Sequence, residues 1–326
     1  MKTNFGKKIA SFILVATAAA CSLAMVGCNR TVSPFHKHKY SYTYNNDATC
    51  GQDGTQTGKC KYCDKTDTIV KAGTATGEHN FNGYICSVCG DYSPDAPVAY
   101  DLDFIKLGNH YEVDGIGSVT DAEILIPNKH DGLPVTSIGY RAFENCGGIT
   151  KVIIPPTVTE IDRSAFNKCD SLYEVVIPNS VTSIGSFAFS ECTSLRNVTI
   201  PEKLTAIESN VFWKCGSLTS IAIPESVTTI GMSAFYNCTG LSSITIPSSV
   251  TKIESRAFSN CSNLISATIP KSVTTMGEDV FYDCKRLSVF CEAPSMPAGW
   301  DSDWNYIGYG DNLTKTYCSV SWGYNA

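Results

Sequence analysis

The chain has 326 residues, of which 43% are hydrophobic and 17% charged, and its formal net charge is −6. This acidic balance argues against nucleic acid as a partner, because phosphate recognition needs clustered Lys and Arg. Catalysis has little support: no His follows His130, which denies the long C-terminal part a Ser-His or Cys-His pair, and G-x-S-x-G, phosphate-loop and H-E-x-x-H sequences are missing.

Residues 1–27 read as a signal peptide. Lys2, Lys7 and Lys8 precede an apolar run from Ile9 to Leu23, too short and Ala-rich for a membrane span. Losing those three lysines takes the charge from −6 to −9. Met25-Val26-Gly27-Cys28 resembles a bacterial lipobox, with Met25 where Leu is usual. The resemblance implies that Cys28 is lipidated, as the first residue of an exported protein anchored to the cell membrane. The alternative is an ordinary cleaved signal and a free Cys28 thiol.

Residues 28–46 are polar and read as a tether. A Cys/His-rich, zinc-ribbon-like module follows over 47–92. Cys60-Lys61-Tyr62-Cys63 and Cys86-Ser87-Val88-Cys89 are two C-x-x-C pairs separated by 22 residues. Four thiolates presented on two turns suit a tetrahedral, structural zinc ion. Such a metal would replace the core that a short Gly-, Thr- and Lys-rich segment cannot build. Cys50, His38 and His79 complicate the ligand set. The segments Ala48–Cys63 and Gly77–Cys89 resemble a short Cys/His-rich repeat that precedes bacterial surface modules. That resemblance groups His38 and Cys50 with Cys60 and Cys63, and His79 with Cys86 and Cys89. Disulfides are the competing reading for an exported protein. A redox C-x-x-C lacks the βαβ context it needs.

Residues 98–134 read as a cap. Leu102, Phe104, Tyr111, Val113 and Ile116 alternate around Gly108-Asn109, which predicts a hairpin. Ile124 to Pro127 then forms a first irregular strand. The cap would cover the open end of the array that follows.

Residues 135–287 write one 23-residue sentence seven times. Phe143, Phe166, Phe189, Phe212, Phe235, Phe258 and Phe281 keep one spacing, and Cys146 to Cys284 keep the same spacing three residues later. Pro155 to Pro270 close the strands, since Pro cannot donate to a ladder. A period in the twenties predicts a solenoid of stacked coils about 4.8 Å apart, with a buried aromatic ladder. Within one unit, Leu172, Val175 and Ile177 have strand spacing, and Ala188, Phe189 and Cys192 have the spacing of a short helical or 3₁₀ turn. The Cys column has two readings: disulfides between neighbouring coils, or small buried thiols. Another column alternates Gly139, Asp162, Gly185, Glu208, Gly231, Glu254 and Gly277. Positive φ cannot be compulsory there, and the alternation keeps carboxylates about 10 Å apart, near one Debye length.

Residues 288–326 read as an aromatic C-terminal cap containing Trp300, Trp304, Tyr306, Tyr309, Tyr317 and Trp322, with an aromatic ligand platform as the other reading. Whether Cys291 pairs with Cys318 is left open.

The units A-F-x-x-C-x-x-L-x-x-I-x-I-P, as in Ala188–Pro201 and Ala234–Pro247, resemble the BspA-like leucine-rich repeats of bacterial surface proteins. The resemblance runs from about residue 100 to the C-terminus. It implies a leucine-rich-repeat solenoid with short parallel strands on the concave side and short helical or 3₁₀ turns on the convex side. It also implies surface exposure and a role in binding or adhesion, and does not imply an enzyme; the competing readings are an envelope enzyme with metal at the Cys/His module and a structural spacer without a discrete ligand. Partners would be an extracellular protein or glycan, and the membrane through the lipid anchor; the protein itself is expected to be monomeric. Two candidate binding patches stand out. Lys151, Tyr173, Glu174 and Arg196 bring mixed charge and an aromatic to the strand face, and Trp213 and Tyr236 are neighbours in the row after the buried Phe.

Overall fold

The computed structural model describes residues 98–99, 101–310 and 314–324 with their side chains. Before them it describes the backbone of strands Tyr40–Tyr44, Thr55–Cys60, Thr66–Val70, Phe81–Asn82 and Ile85–Cys86. The chain divides into two compact units, Met1–Glu78 and His79–Ala326.

In the first unit, Tyr40–Tyr44, Thr55–Cys60 and Thr66–Val70 form a three-stranded antiparallel meander. The first of these strands falls in the span read as a tether. Tyr40, Tyr42 and Tyr44 alternate with Ser41 and Thr43, a period-two run of good strand formers.

The second unit is a parallel-strand solenoid in which the described residues form no helix. Each coil has three faces. The first strand face begins with Glu123–Leu125, Lys151–Ile153, Glu174–Val176 and Asn197–Val198, which pair in parallel with Lys151 opposite Glu174 and Glu174 opposite Asn197. It resumes with Ser243–Thr245, Ser266–Ile269 and Ser288–Cys291. The second strand face holds two-residue strands such as Glu160–Ile161, Ser183–Ile184, Thr229–Ile230 and Lys252–Ile253.

The third face carries Phe and Cys. Its turns close by i→i+3 bonds: Ala142 N–H donates to Gly139 O, Glu144 N–H to Arg141 O and Cys146 N–H to Phe143 O. The expected helical turn is thus a chain of bonded turns. It does not wind into a helix because two residues per coil are left-handed, for example Arg141 (φ 60°) and Asn145 (φ 62°), then Ser164 (58°) and Lys168 (60°). This geometry aims alternate N–H groups at the next coil. Arg141, Phe143 and Asn145 donate to Arg163, Ala165 and Asn167 at 3.2, 2.7 and 2.8 Å, and the pattern repeats along the stack.

All seven Phe are buried to 1% exposure or less. From Phe143 to Phe281 the rings stack at centroid spacings of 5.0 to 5.9 Å, tilted by no more than 14°. The cysteines of this column, Cys146 to Cys284, are free thiols without disulfides between coils, and all but the half-buried Cys146 are buried. Cys169, Cys192, Cys215, Cys238, Cys261 and Cys284 each donate their S–H to the Phe carbonyl 26 residues earlier, at 3.1 to 3.2 Å. Burial pushes the Cys169 and Cys238 thiols up to about 12.

The alternating glycines are not left-handed. They are needed for space: a Cβ on Gly185 would lie 2.5 Å from the Arg163 nitrogen, and one on Gly277 would lie 2.5 Å from that of Ser255.

Both ends are closed. Asp103–Leu107 and His110–Gly115 form the expected hairpin around Gly108 (φ 71°), and its second strand pairs with Leu133–Ile138. His130 stacks on Phe104 at 4.0 Å within this cap. At the other end Trp304 meets Phe281 edge-on at 6.1 Å and ends the ring ladder, while Trp300 donates its indole N–H to Val273 O at 3.0 Å. Ser319–Trp322 adds the last parallel strand, against Ser288–Cys291. Cys291 and Cys318 are both buried and free.

Candidate binding surface

The first strand face gathers four of the predicted residues. Parallel pairing sets Lys151 beside Glu174, and Lys151 Nζ lies 3.1 Å from Glu174 Oε2. Glu174 accordingly holds the Lys151 ammonium above its usual range. The pair is a quarter to a third exposed, so it contributes at most about 1 kcal/mol to stability and stays available to a partner. One residue earlier on each coil, Tyr173 N–H donates to Thr150 O and Arg196 N–H to Tyr173 O, which fixes Tyr173 and Arg196 one coil apart. Tyr173 is 40% exposed, and Arg196 is exposed. Val176 adds an exposed apolar side chain at the end of the same strand. The result is a shallow face with a cation, an anion, a phenol and a guanidinium side by side. A face of this kind recognises by many small contacts.

The other two predicted residues lie on the turn face, separate from this patch. Trp213 and Tyr236 stack at 6.0 Å with an 18° tilt. Asn260 donates to the Tyr236 hydroxyl at 2.7 Å, and Lys214 Nζ sits 4.0 Å over the Trp213 ring and 3.7 Å from Glu191. Lys214, Glu191 and Asn260 were missed in the sequence. A signal for two of them was present: Lys168, Glu191 and Lys214 alternate in sign at one repeat position. The signal was hard to use because the left-handed backbone of Lys214 (φ 59°) decides where that side chain goes.

The thiols of Cys28, Cys60, Cys63, Cys86 and Cys89 lie outside the described residues. Among the described residues no group of three His, Cys, Asp or Glu is placed to hold a metal.

Comparison with known proteins agrees with the repeat. Residues 122–228 and 160–288 match the BspA type leucine rich repeat region, in six copies. A leucine rich cell surface protein from Faecalibacterium prausnitzii A2-165 is 33% identical with a TM-score of 0.54; the match covers 69% of this chain and 62% of that one. A leucine-rich repeat protein from Bacteroides ovatus is 24% identical, with 68% and 70% of the two chains covered and a TM-score of 0.43. The T. pallidum leucine rich repeat protein is 25% identical over 59% of this chain and 79% of that one, with a TM-score of 0.42. No curated protein matches the sequence. The repeat motif, its stacking and the family match agree, and the chain belongs to the BspA-type leucine-rich-repeat family.

Proposed function

We propose that this protein is an exported, lipid-anchored surface protein that binds an extracellular protein or glycan through the first strand face of its solenoid. The observation that carries the reading is the group formed by exposed Tyr173 and Arg196 and partly exposed Lys151 and Glu174, held in register on adjoining coils. Tyr and Arg are the residues that most often anchor interfaces. The family relationship and the Faecalibacterium cell surface protein support a surface role. The Trp213–Tyr236 pair is an accessory contact in the same reading.

The test is a glycan and matrix-protein array probed with the full chain and with a Tyr173→Ala/Arg196→Ala double variant. A loss of at least about tenfold in binding to whichever probe is captured is expected, since two anchor residues contribute on the order of 1–2 kcal/mol each. Undiminished binding by a folded variant removes this patch from the reading. The anchor is tested separately by radiolabelled palmitate: label incorporated by the wild type and lost in Cys28→Ala supports lipidation. Structural zinc on Cys60, Cys63, Cys86 and Cys89 is a further proposal resting on the spacing of the two C-x-x-C pairs. One zinc per chain in the purified full-length protein supports it, and a metal-free protein overturns it.

A further inference from the structure

The stack is not uniform along its length. Between the coil holding Ser183–Ile184 and the coil holding Ala206–Ile207 the second strand face stops: the two strands belong to different sheets. Thr159, Thr182, Thr228, Thr251 and Thr274 each donate their N–H to the equivalent residue one coil earlier, all at 2.9 Å. Among the described residues Thr205 has no such bond to Thr182, and Glu208 has none to Ile184, although Gly185, Gly231, Glu254 and Gly277 make the equivalent bond at 2.8 to 2.9 Å. The first strand face opens at the same boundary. Asn197–Val198 pairs only backward and the bond from Thr219 N–H to Arg196 O is missing, while its counterparts at Arg196, Ile265 and Ser288 are made at 3.0 to 3.2 Å. Residues 220–222 form no strand, so this face stays without a ladder until Ser243–Thr245, with Ser242 N–H reaching Thr219 O only at 3.5 Å.

The turn face stays closed. Phe187, Phe189 and Glu191 donate to Ser209, Val211 and Trp213 at 3.2, 3.0 and 2.7 Å across this boundary. Two faces are parted and one is bonded.

The residues of this coil explain the gap. Ser180, Ser226, Ser249 and Ser272 each stitch their coil to the one before by donating a hydroxyl to Val158 O, Leu204 O, Val227 O and Val250 O at 2.7 to 2.8 Å. At this position the loosened coil has Lys203, which is exposed and makes no such bond. Its next residue, Leu204, stands in a column otherwise filled by Val158, Val181, Val227, Val250 and Val273, one methylene larger. Val211 stands where five other coils have Ala. Overfilling a close-packed stack pushes neighbours apart. The ring ladder records it: the step from Phe189 to Phe212 is 5.9 Å, the widest of the stacked steps, and the next widest, 5.7 Å to Phe281, follows Val280, the other coil with Val in place of Ala. A small apolar void bordered by Ile184, Ile200, Leu204 and Ile207 sits in the gap.

We propose that this boundary is a hinge. The solenoid flexes about the bonded turn face between Phe187 and Trp213, and the two strand faces open and close. The patch of Lys151, Tyr173, Glu174 and Arg196 lies on one side, and the Ser- and Thr-lined part of the same face, from Ser242 to Thr268, on the other. Flexing changes the angle between them and fits one face to partners of different curvature. The hinge stands on the hydrogen-bond pattern and does not depend on which partner binds.

Hydrogen exchange on the full chain tests it. The amides of Thr205 and Glu208 are expected to exchange at least about tenfold faster than those of Thr228 and Gly231 one coil on, because local opening governs protection. Equal protection at the two pairs overturns the hinge. The variant Lys203→Ser/Leu204→Val restores the residues of the neighbouring coils. It is expected to bring Thr205 and Glu208 to the protection of Thr228 and Gly231. Exchange that stays fast in this variant overturns the assignment of the hinge to these two residues.

Discussion

The turn face and the first strand face are built from the same coils, yet they differ in what varies along the stack. The turn face repeats Phe and Cys without exception, buries every one of them but the half-buried Cys146, and keeps its backbone bonds through every coil boundary from Phe143 to Phe258. The strand face changes from Lys, Glu, Tyr and Arg to Ser and Thr, and it is interrupted in the middle. One face carries the fold and the other presents side chains. Constancy marks the structural face, and variation between coils marks the face on which recognition has room to differ.

Mutation of the two faces sharpens this contrast. Phe189→Ala removes a ring from the middle of the ladder and is expected to cost about 3–5 kcal/mol, read as a lower denaturation midpoint. A cost below about 1 kcal/mol contradicts the structural role of the turn face. Cys215→Ala deletes the S–H bond to Phe189 O and leaves a small hole, for which about 1–2 kcal/mol is expected in the same measurement. Tyr173→Ala, on the presenting face, is expected to stay within about 0.5 kcal/mol of wild type. A stability loss as large as that of Phe189→Ala breaks the comparison.

The Cys column also gives the stack a pH limit. Burial raises Cys169 and Cys238 from 9.0 to about 12, so the folded chain keeps protons that the unfolded chain releases. The stabilisation from these thiols is complete below pH 9 and is lost as pH rises through about 12. Thermal melts are expected to show a falling midpoint above pH 9 that a Cys169→Ala/Cys238→Ala variant follows less steeply. Parallel curves contradict the assignment. Lys214→Ala falls below either turn-face core change: it removes a cation over Trp213 and a partly exposed pair with Glu191, and a loss of about 0.5–1 kcal/mol is expected in chemical denaturation.

Much of the architecture was legible because it depends on period. The spacing of the Phe column gave the ladder, and Val175 alternating with Ile177 gave the strand. Gly108-Asn109 gave the hairpin, since a glycine suits the positive φ that such a turn demands. The turn face was legible only as a spacing. Its left-handed pairs fall on residues as different as Phe187, Lys168, Glu191 and Asn210, held by bonds to neighbouring coils, so no local preference announces them. The Gly and acid alternation was read through charge, whereas close approach of coils is what excludes a side chain at Gly185. For the candidate surface, register follows from the repeat: Lys151 must meet Glu174. The Lys214 contact over Trp213 depends on one backbone angle and could not be seen. The gap beside Leu204 was written in the sequence as three departures from the repeat at Lys203, Leu204 and Val211, but only coordinates show that they act at one boundary.

The bonds of the turn face all run one way, with N–H groups toward the later coil and carbonyls toward the earlier. Every coil therefore offers its successor the same socket that it fills in its predecessor. Duplicating or excising a whole 23-residue segment, such as residues 228–250, leaves both flanking joints chemically unchanged. Reach is then set by copy number, and a gene carrying this chain can lengthen or shorten it in steps without redesigning either end.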